Sequence, residues 1–439
     1  MKLTRLALAT VLAAAGAGFA ASASAQANNE QFFPLLSYRT GAYAAYGIPW
    51  ANGKQDYIKL INARDGGVNG VKMTFEECET AYATDRGVEC YERLKTRPGV
   101  AVVEPLATGI TFALTEKAPI DKIPLMTQGY GLSISQDGTA FPWNFPFLGS
   151  YWTGADVLIQ HIGSKAGGLD KLKGKKVAYV YHDSPFGKDA IPLLQKRAEM
   201  HGFELQLMPV TAPGVEQKST WLQVRQSRPD YLLLWGWGVM NTTALKEAQA
   251  TGFPRDKMYS VWWGGTEPAV RDVGEGAKGF NALSLNGHGT SYKVIQDILK
   301  LVHDAKQGTG PRDEVGTVLY VHGVITQMLA IEAVRTAQEK FGKGKVMTGE
   351  QVRWGMENLK IDQKRLDELG FGNVMLPMAT SCSNHMGSSS ARIHTWDGKQ
   401  WNYSSDWYKA DDKVLGPLIK EHGDKYLADK KLTRRTDCK

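Results

Sequence analysis

The sequence predicts an α/β protein made of two doubly wound parallel-sheet lobes, and two observations carry that expectation. Short apolar runs alternate with longer stretches of helical period, twice along the chain, which is the pattern of parallel sheets covered by helices. Between the two series stands Phe141-Pro142-Trp143-Asn144-Phe145-Pro146-Phe147, whose aromatic and proline residues interrupt the alternation and read as a first crossing between lobes.

The first series opens with a strand at 32–36 and a turn, Thr40-Gly41-Ala42-Tyr43-Ala44-Ala45-Tyr46-Gly47. An amphipathic helix follows, with Trp50, Tyr57, Ile58 and Ile61 on one face. Gly66 and Gly67 supply the left-handed backbone that ends it, and Asn69-Gly70 turns the chain into a strand at 71–75. Helices over 84–95 and 109–117, with strands near Val100 and Ile123, complete the series. The second series runs helix 151–164, strand 176–181, helix 188–201, strand 203–210, helix 220–227, strand 231–235, helix 239–251 and strand 258–262. Helices over 291–306, 318–341 and 348–359 come next, then a hairpin over 392–403 that turns at Asp397-Gly398. The chain shows no short-period repeat and no low-complexity segment.

Met1-Lys2-Leu3-Thr4-Arg5 is basic, residues 6–20 are apolar and uncharged, and Ala23-Ser24-Ala25 is a small-x-small cleavage site. The expectation is an exported protein that begins at Gln26. The apolar run falls short of the roughly 20 residues a membrane span needs, and no cysteine follows it to carry a lipid. A Gram-negative periplasm therefore fits best. The four cysteines lie in no CxxC pair and no Cys/His cluster, so disulfides are expected. Three connectivities are possible; local pairing favours Cys78 with Cys90 and Cys382 with Cys438, the shorter loop contributing roughly 3 kcal/mol as a structural staple.

Formal net charge is +7, with basic and acidic residues interspersed as in 353–364, which argues against a nucleic-acid stripe. No GxxxxGK[ST], GxSxG, HExxH or EF-hand loop is present, and Gly129-Tyr130-Gly131 lacks the third glycine of a dinucleotide fingerprint. Neither an enzyme nor a cofactor is implied. His385 and His394, near Cys382, read as exposed loop residues rather than a metal site. Aromatic residues gather after the strands instead: Tyr43 and Tyr46, Tyr130, Phe186, Trp235 and Trp237, Trp262 and Trp263. Ligands of open α/β sheets bind in the crevice outside the carboxyl ends of the strands, so these loops are the candidate pocket.

The order of these segments, with Gly99-Val100-Ala101-Val102-Val103-Glu104-Pro105-Leu106-Ala107-Thr108-Gly109, Ile123-Pro124-Leu125-Met126-Thr127, Tyr179-Val180-Tyr181-His182-Asp183-Ser184-Pro185-Phe186-Gly187, Pro229-Asp230-Tyr231-Leu232-Leu233-Leu234-Trp235-Gly236 and Gly274-Glu275-Gly276-Ala277-Lys278-Gly279, resembles the type I periplasmic binding proteins of the branched-chain amino acid branch. That resemblance covers most of the chain after its leader. It implies two lobes joined by a three-crossover hinge: a signal peptide at 1–25, a first lobe from 26–148 and 286–384, and a second from 149–285 and 385–439. It also implies a monomer that hands a small solute to an ABC permease with its ATPase subunits, a sensor subunit of the same fold being the alternative.

Carried over position by position, the resemblance implies a ligand site at Tyr46, Leu106, Thr108, Gly129, Tyr130, Phe186, Trp237 and Trp262. Thr108 stands where relatives hold a ligand carboxylate with helix-start N–H groups. Phe186 replaces a usual tyrosine, and Gly131 replaces a hydroxyl residue that helps hold the ligand amine. Trp262 stands where relatives carry the acid that pairs with an α-ammonium, with Glu267 as a possible substitute. The implied ligand is a carboxylate or amide with an apolar or aromatic body, the alternative being a hydrophobic amino acid.

Overall fold

A computed structural model describes residues 29–438; the predicted leader at 1–25 lies outside them. In the first lobe β1 (Glu30–Ser37) and β2 (Lys72–Glu79) pair in parallel, as do β3 (Leu125–Gln128) and β4 (Asn144–Phe147). Residues 100–104 connect the two pairs through isolated parallel bridges, Phe32 with Val100, Leu35 with Glu104 and Val103 with Leu125. Phe32 donates to the Gly99 carbonyl at 2.8 Å and accepts from Ala101 at 3.1 Å. The next residue of β1 on that side is Pro34, which has no N–H, so the ladder lapses and a regular strand does not form.

The stretch 141–147 is not simply a crossing, because Asn144–Phe147 forms β4. Among the described residues β4 pairs with β3 alone, and at such an edge Pro146 removes no ladder bond. The chain then crosses at 148–150 to the second sheet: β5 (Lys176–His182), β6 (Glu204–Val210), β7 (Tyr231–Trp235), β8 (Met258–Ser260) and β9 (Asn281–Ser284), all parallel in the order β6-β5-β7-β8-β9. It returns to the first lobe, where β10 (Lys360–Ile361) and β11 (Met378–Ala379) form a small antiparallel pair, and crosses again to β12 (Ser390–Trp396), β13 (Trp401–Tyr403) and β14 (Tyr408–Lys409). β12 lies antiparallel to β9, and both β13 and β14 pair with β12. The Asp397-Gly398 hairpin thus widens the second sheet.

Two boundaries differ from expectation and one agrees. The strand expected to reach Trp262 stops at Ser260, and Trp262–Gly264 is a 3-10 turn closed by Gly264 N–H to the Val261 carbonyl at 2.9 Å. The helix expected over 291–306 is an α-helix only over Lys293–Ile298, followed by the π-turn Leu299–His303. The first long helix, Ala44–Asp65, does end at the left-handed Gly66 (φ 67°), and Asn62 clamps it to the following strand through both the N–H and C=O of Met73.

That helix packs directly against Val318–Phe341 through two glycines. A Cβ on Gly53 would lie 2.1 Å from the Tyr320 carbonyl oxygen, and one on Gly323 would lie 2.1 Å from that of Trp50. Val318–Phe341 is apolar and long enough to cross a membrane, but 89% of its apolar window is buried, which makes it a core helix of the first lobe. The disulfides pair Cys78 with Cys90 and Cys382 with Cys438, with Cα separations of 5.8 and 5.3 Å.

Candidate ligand-binding site

The loops that leave the strand ends of the two lobes close around a narrow cavity of about 10 Å³. From the first lobe come Tyr38 after β1, Tyr82 after β2, Leu106, Ala107 and Thr108 after residues 100–104, and Tyr130 after β3. Trp50 reaches it from the helix Ala44–Asp65. The second lobe supplies Phe186 after β5, Trp237 after β7 and Trp263 after β8, with Tyr151 from the helix Tyr151–Ala166. That helix is fixed at its start by a capping box in which the Ser150 and Thr153 side chains exchange hydrogen bonds with each other's backbone N–H.

Eight of these side chains are aromatic and they touch one another: Trp50 lies 5.3 Å across the cleft from Trp263, and within the second lobe Trp237 lies 5.1 Å from Trp263 and Tyr151 5.1 Å from Phe186. No lining residue is charged. Polar atoms are few and mostly donors. The Trp50 and Trp237 indole N–H groups and the Tyr38 hydroxyl are buried with no partner among the described residues. Tyr151 accepts from the Trp263 indole at 3.2 Å, and its hydroxyl lies 3.4 Å from that of Thr108. Thr108 opens the helix Thr108–Thr115, whose first-turn N–H groups have no partner within the helix. Burial raises the Tyr38, Tyr130 and Tyr151 hydroxyls above the ordinary tyrosine range, so all three are neutral.

The backbone reaches that helix through Leu106 at φ 57°, a left-handed conformation uncommon for a branched side chain. The Leu106 N–H donates to the Tyr130 hydroxyl at 2.8 Å. Beneath this turn Lys54 and Glu104, both buried, pair at 2.5 Å. Burial pushes the Glu104 carboxyl up, against the pull of Lys54 and, more weakly, of the Tyr130 hydroxyl.

Of the residues singled out from sequence, Leu106, Thr108, Tyr130, Phe186 and Trp237 line the cavity together. The other three stand behind them. Tyr46 packs 4.6 Å from Trp237 and accepts a hydrogen bond from Asn241. Gly129 lies against Trp262 and Leu285. Trp262 stacks behind Tyr151, and its neighbour Trp263 faces the cavity, because the strand stops two residues early and the turn exchanges their directions. Glu267 lies elsewhere: both its carboxylate oxygens accept from the Val318 N–H at 3.2 Å, at the start of the core helix. Tyr38, Trp50, Tyr82 and Tyr151 went unpredicted as lining residues. For Trp50 the helical period pointed only to an apolar face, and Tyr38 sits one residue past the end of β1.

The lobes also meet beside the cavity. The Tyr43 hydroxyl lies 2.9 Å from His182 Nε2, and Ser133 donates both its hydroxyl and its N–H to Asp189. Burial lowers His182 to about 4 and raises Asp189 to about 7. His385 and His394 are buried, contrary to expectation: His385 stacks on Phe145 and His394 on Trp401. The one close trio of metal-ligating side chains among the described residues is Cys382, Asp437 and Cys438, in which the two sulfurs are bonded to each other.

A sequence profile of the periplasmic binding protein family matches residues 30–400. The chain belongs to that family. As a periplasmic binding protein it is a solute-binding component, one that takes a small molecule and works with a permease. It is 40% identical to a protein described as an ABC transporter permease from the Pseudomonas fluorescens group, with a TM-score of 0.87 over 93% of this chain and 100% of that one. The fold is shared with a valine-bound branched-chain amino acid ABC transporter protein from Thermus thermophilus, at 20% identity and TM-score 0.73 over 88% of this binding protein and 98% of that chain. It is shared too with a benzoate-bound solute-binding protein of an ABC transporter from R. palustris, at 17% identity and TM-score 0.66 over 86% and 96%. No curated protein sequence matches.

Proposed function

We propose that this binding protein captures an organic acid or amide with an apolar, aromatic or branched body, and delivers it by lobe closure to an ABC permease in the inner membrane with its ATPase subunits. The observation that carries the reading is the cavity wall, eight aromatic side chains with donor groups and no charge, at the start of the helix Thr108–Thr115. Helix-start N–H groups, the Thr108 hydroxyl and the indole N–H groups suit an anionic or carbonyl acceptor. The aromatic faces suit an apolar body. A free amino acid would bury its ammonium beside no carboxylate, at a cost of several kcal/mol, since Glu267 is engaged at Val318.

In this reading residues 26–148 and 286–384 form the lobe that orients the polar end, and residues 149–285 and 385–439 the lobe that covers the body. Contact with both lobes is what makes closure respond to ligand. In the same reading the protein works as a periplasmic monomer, cleaved after Ala25. A thermal-shift screen of the exported protein against aromatic and aliphatic carboxylates, their amides, and amino acids tests it. Saturation at a hundredfold excess over Kd stabilises the bound state by about 2.7 kcal/mol, so acids or amides should raise the melting temperature. A response to valine or leucine alone would return the ligand to the amino-acid class.

A further inference from the structure

The Tyr130 hydroxyl and Glu104 each have a hydrogen-bonding requirement that the other meets. Tyr130 accepts from the Leu106 N–H at 2.8 Å, which leaves its own proton to be placed. Glu104 Oε2 is taken by Lys54, while Oε1 is buried with no other partner among the described residues, and the carboxylate faces Tyr130. A buried donor and a buried acceptor that face one another satisfy each other at little cost, whereas either alone carries a desolvation penalty. Hydrogen bonds thus join Lys54 to Glu104 and Leu106 to Tyr130, and the unpartnered Glu104 oxygen and the Tyr130 proton stand between these two pairs, along the way from the helix Ala44–Asp65 to the turn before Thr108.

We propose that Lys54 and Glu104 are positioning residues for the ligand site: they take the Tyr130 proton, fix its oxygen as the acceptor for Leu106, and so hold the left-handed turn that aims the helix start at Thr108 into the cavity. Lys54 also balances the Glu104 charge, so that a carboxylate is not placed behind a site that receives an anion. Neither residue lines the cavity, and both act through Tyr130. The assignment rests on the cavity being the ligand site, but the arrangement it describes exists without ligand.

The test uses two double variants. Lys54→Met with Glu104→Leu removes the charges and the acceptor, and replacement of a buried pair by apolar residues of similar size is commonly tolerated. Lys54→Met with Glu104→Gln removes the charges but keeps an acceptor oxygen. Hydrogen exchange of the Leu106 amide, followed by NMR, should quicken about tenfold or more in the first variant and be restored in the second. Benzoate titrated by calorimetry should show the same pattern, a Kd raised about tenfold and then restored to within about threefold. Unchanged Leu106 exchange in the first variant overturns the proposal. Should that variant not fold, the second is compared with Tyr130→Phe, where equal exchange at Leu106 overturns it and protection in the first alone supports it. If benzoate does not bind the unaltered protein, the exchange result still decides the positioning role, and only the ligand class falls.

Discussion

Removing the indole of Trp237 separates two contributions to binding that the cavity wall combines. The side chain is 4% exposed, its ring lies 4.6 Å from that of Tyr46 and 5.1 Å from that of Trp263, and its N–H has no partner among the described residues. Trp237→Phe keeps an aromatic face and deletes the donor. A hydrogen bond to a charged group is worth about 1.5–3 kcal/mol, so an acid should bind roughly 10- to 150-fold more weakly. Trp237→Ala also removes the face, for which side-chain burial allows a further ~1.5–3 kcal/mol. The proper ligand is the strongest acid or amide from the thermal-shift screen, measured by calorimetry at a temperature where circular dichroism shows each variant folded, since a buried Trp→Ala change itself destabilises by about 3–5 kcal/mol. Leu222→Ala, at a side chain 53% exposed, is the control and should change binding by no more than ~0.5 kcal/mol. Both Trp237 variants binding within threefold of the unaltered protein would refute a role for this wall in recognition.

Gly323→Ala should lower the denaturant midpoint by the equivalent of about 3 kcal/mol or more, because its Cβ meets the Trp50 carbonyl oxygen at 2.1 Å and two helices must part. Gly416→Ala, with nothing within 4 Å, should leave the midpoint level or raise it; equal losses at both sites would contradict the close packing. Asp189, raised to about 7, binds its proton more tightly in the closed fold than when solvated. Its contribution to stability is therefore full at pH below the ordinary carboxylate value and is lost as pH rises from there through about 7. Asp189→Asn should accordingly gain most over the unaltered protein above pH 7 and little at pH 4 in thermal melts; a gain independent of pH would rule out that titration.

The βαβ order was legible because strand and helix periods differ, and because Gly66, Gly67 and Asn69-Gly70 mark an element end by backbone conformation alone. Pro146 hid β4, since a proline argues against a strand until the strand is known to lie at an edge. Pro34 had the opposite effect and left residues 100–104 bridged where a full strand was expected. In the site, positions tied to a strand end by short spacing, such as Thr108 and Phe186, could be placed. Trp262 could not, because an error of two residues in where β8 stops decides which of two adjacent tryptophans turns inward. Trp50 and Tyr151 enter the cavity from helices, and nothing in a helical stripe tells which of its apolar residues faces a cleft rather than a core.

The disulfide at Cys382 bears on how the two lobes move. Helix Asp412–Lys430 follows the strands of the second sheet but already packs on the first lobe, with Tyr426 4.6 Å from Phe141 and Lys430 paired with Glu116, and the residues after it continue over that lobe: the Arg435 N–H donates to the Thr139 carbonyl at 2.9 Å, Arg434 pairs with Asp137, Arg435 with Glu357, and Cys438 is bonded to Cys382. Besides the three crossings of the backbone, the lobes thus share a fourth tether, covalently anchored at its far end. A hinge restrained only by its own backbone swings until the solvent or a partner stops it. One with such a tether has a built-in travel limit, set by the contacts that the helix and its disulfide-anchored tail make on the first lobe, which bounds how wide the mouth can open for a solute to enter or leave.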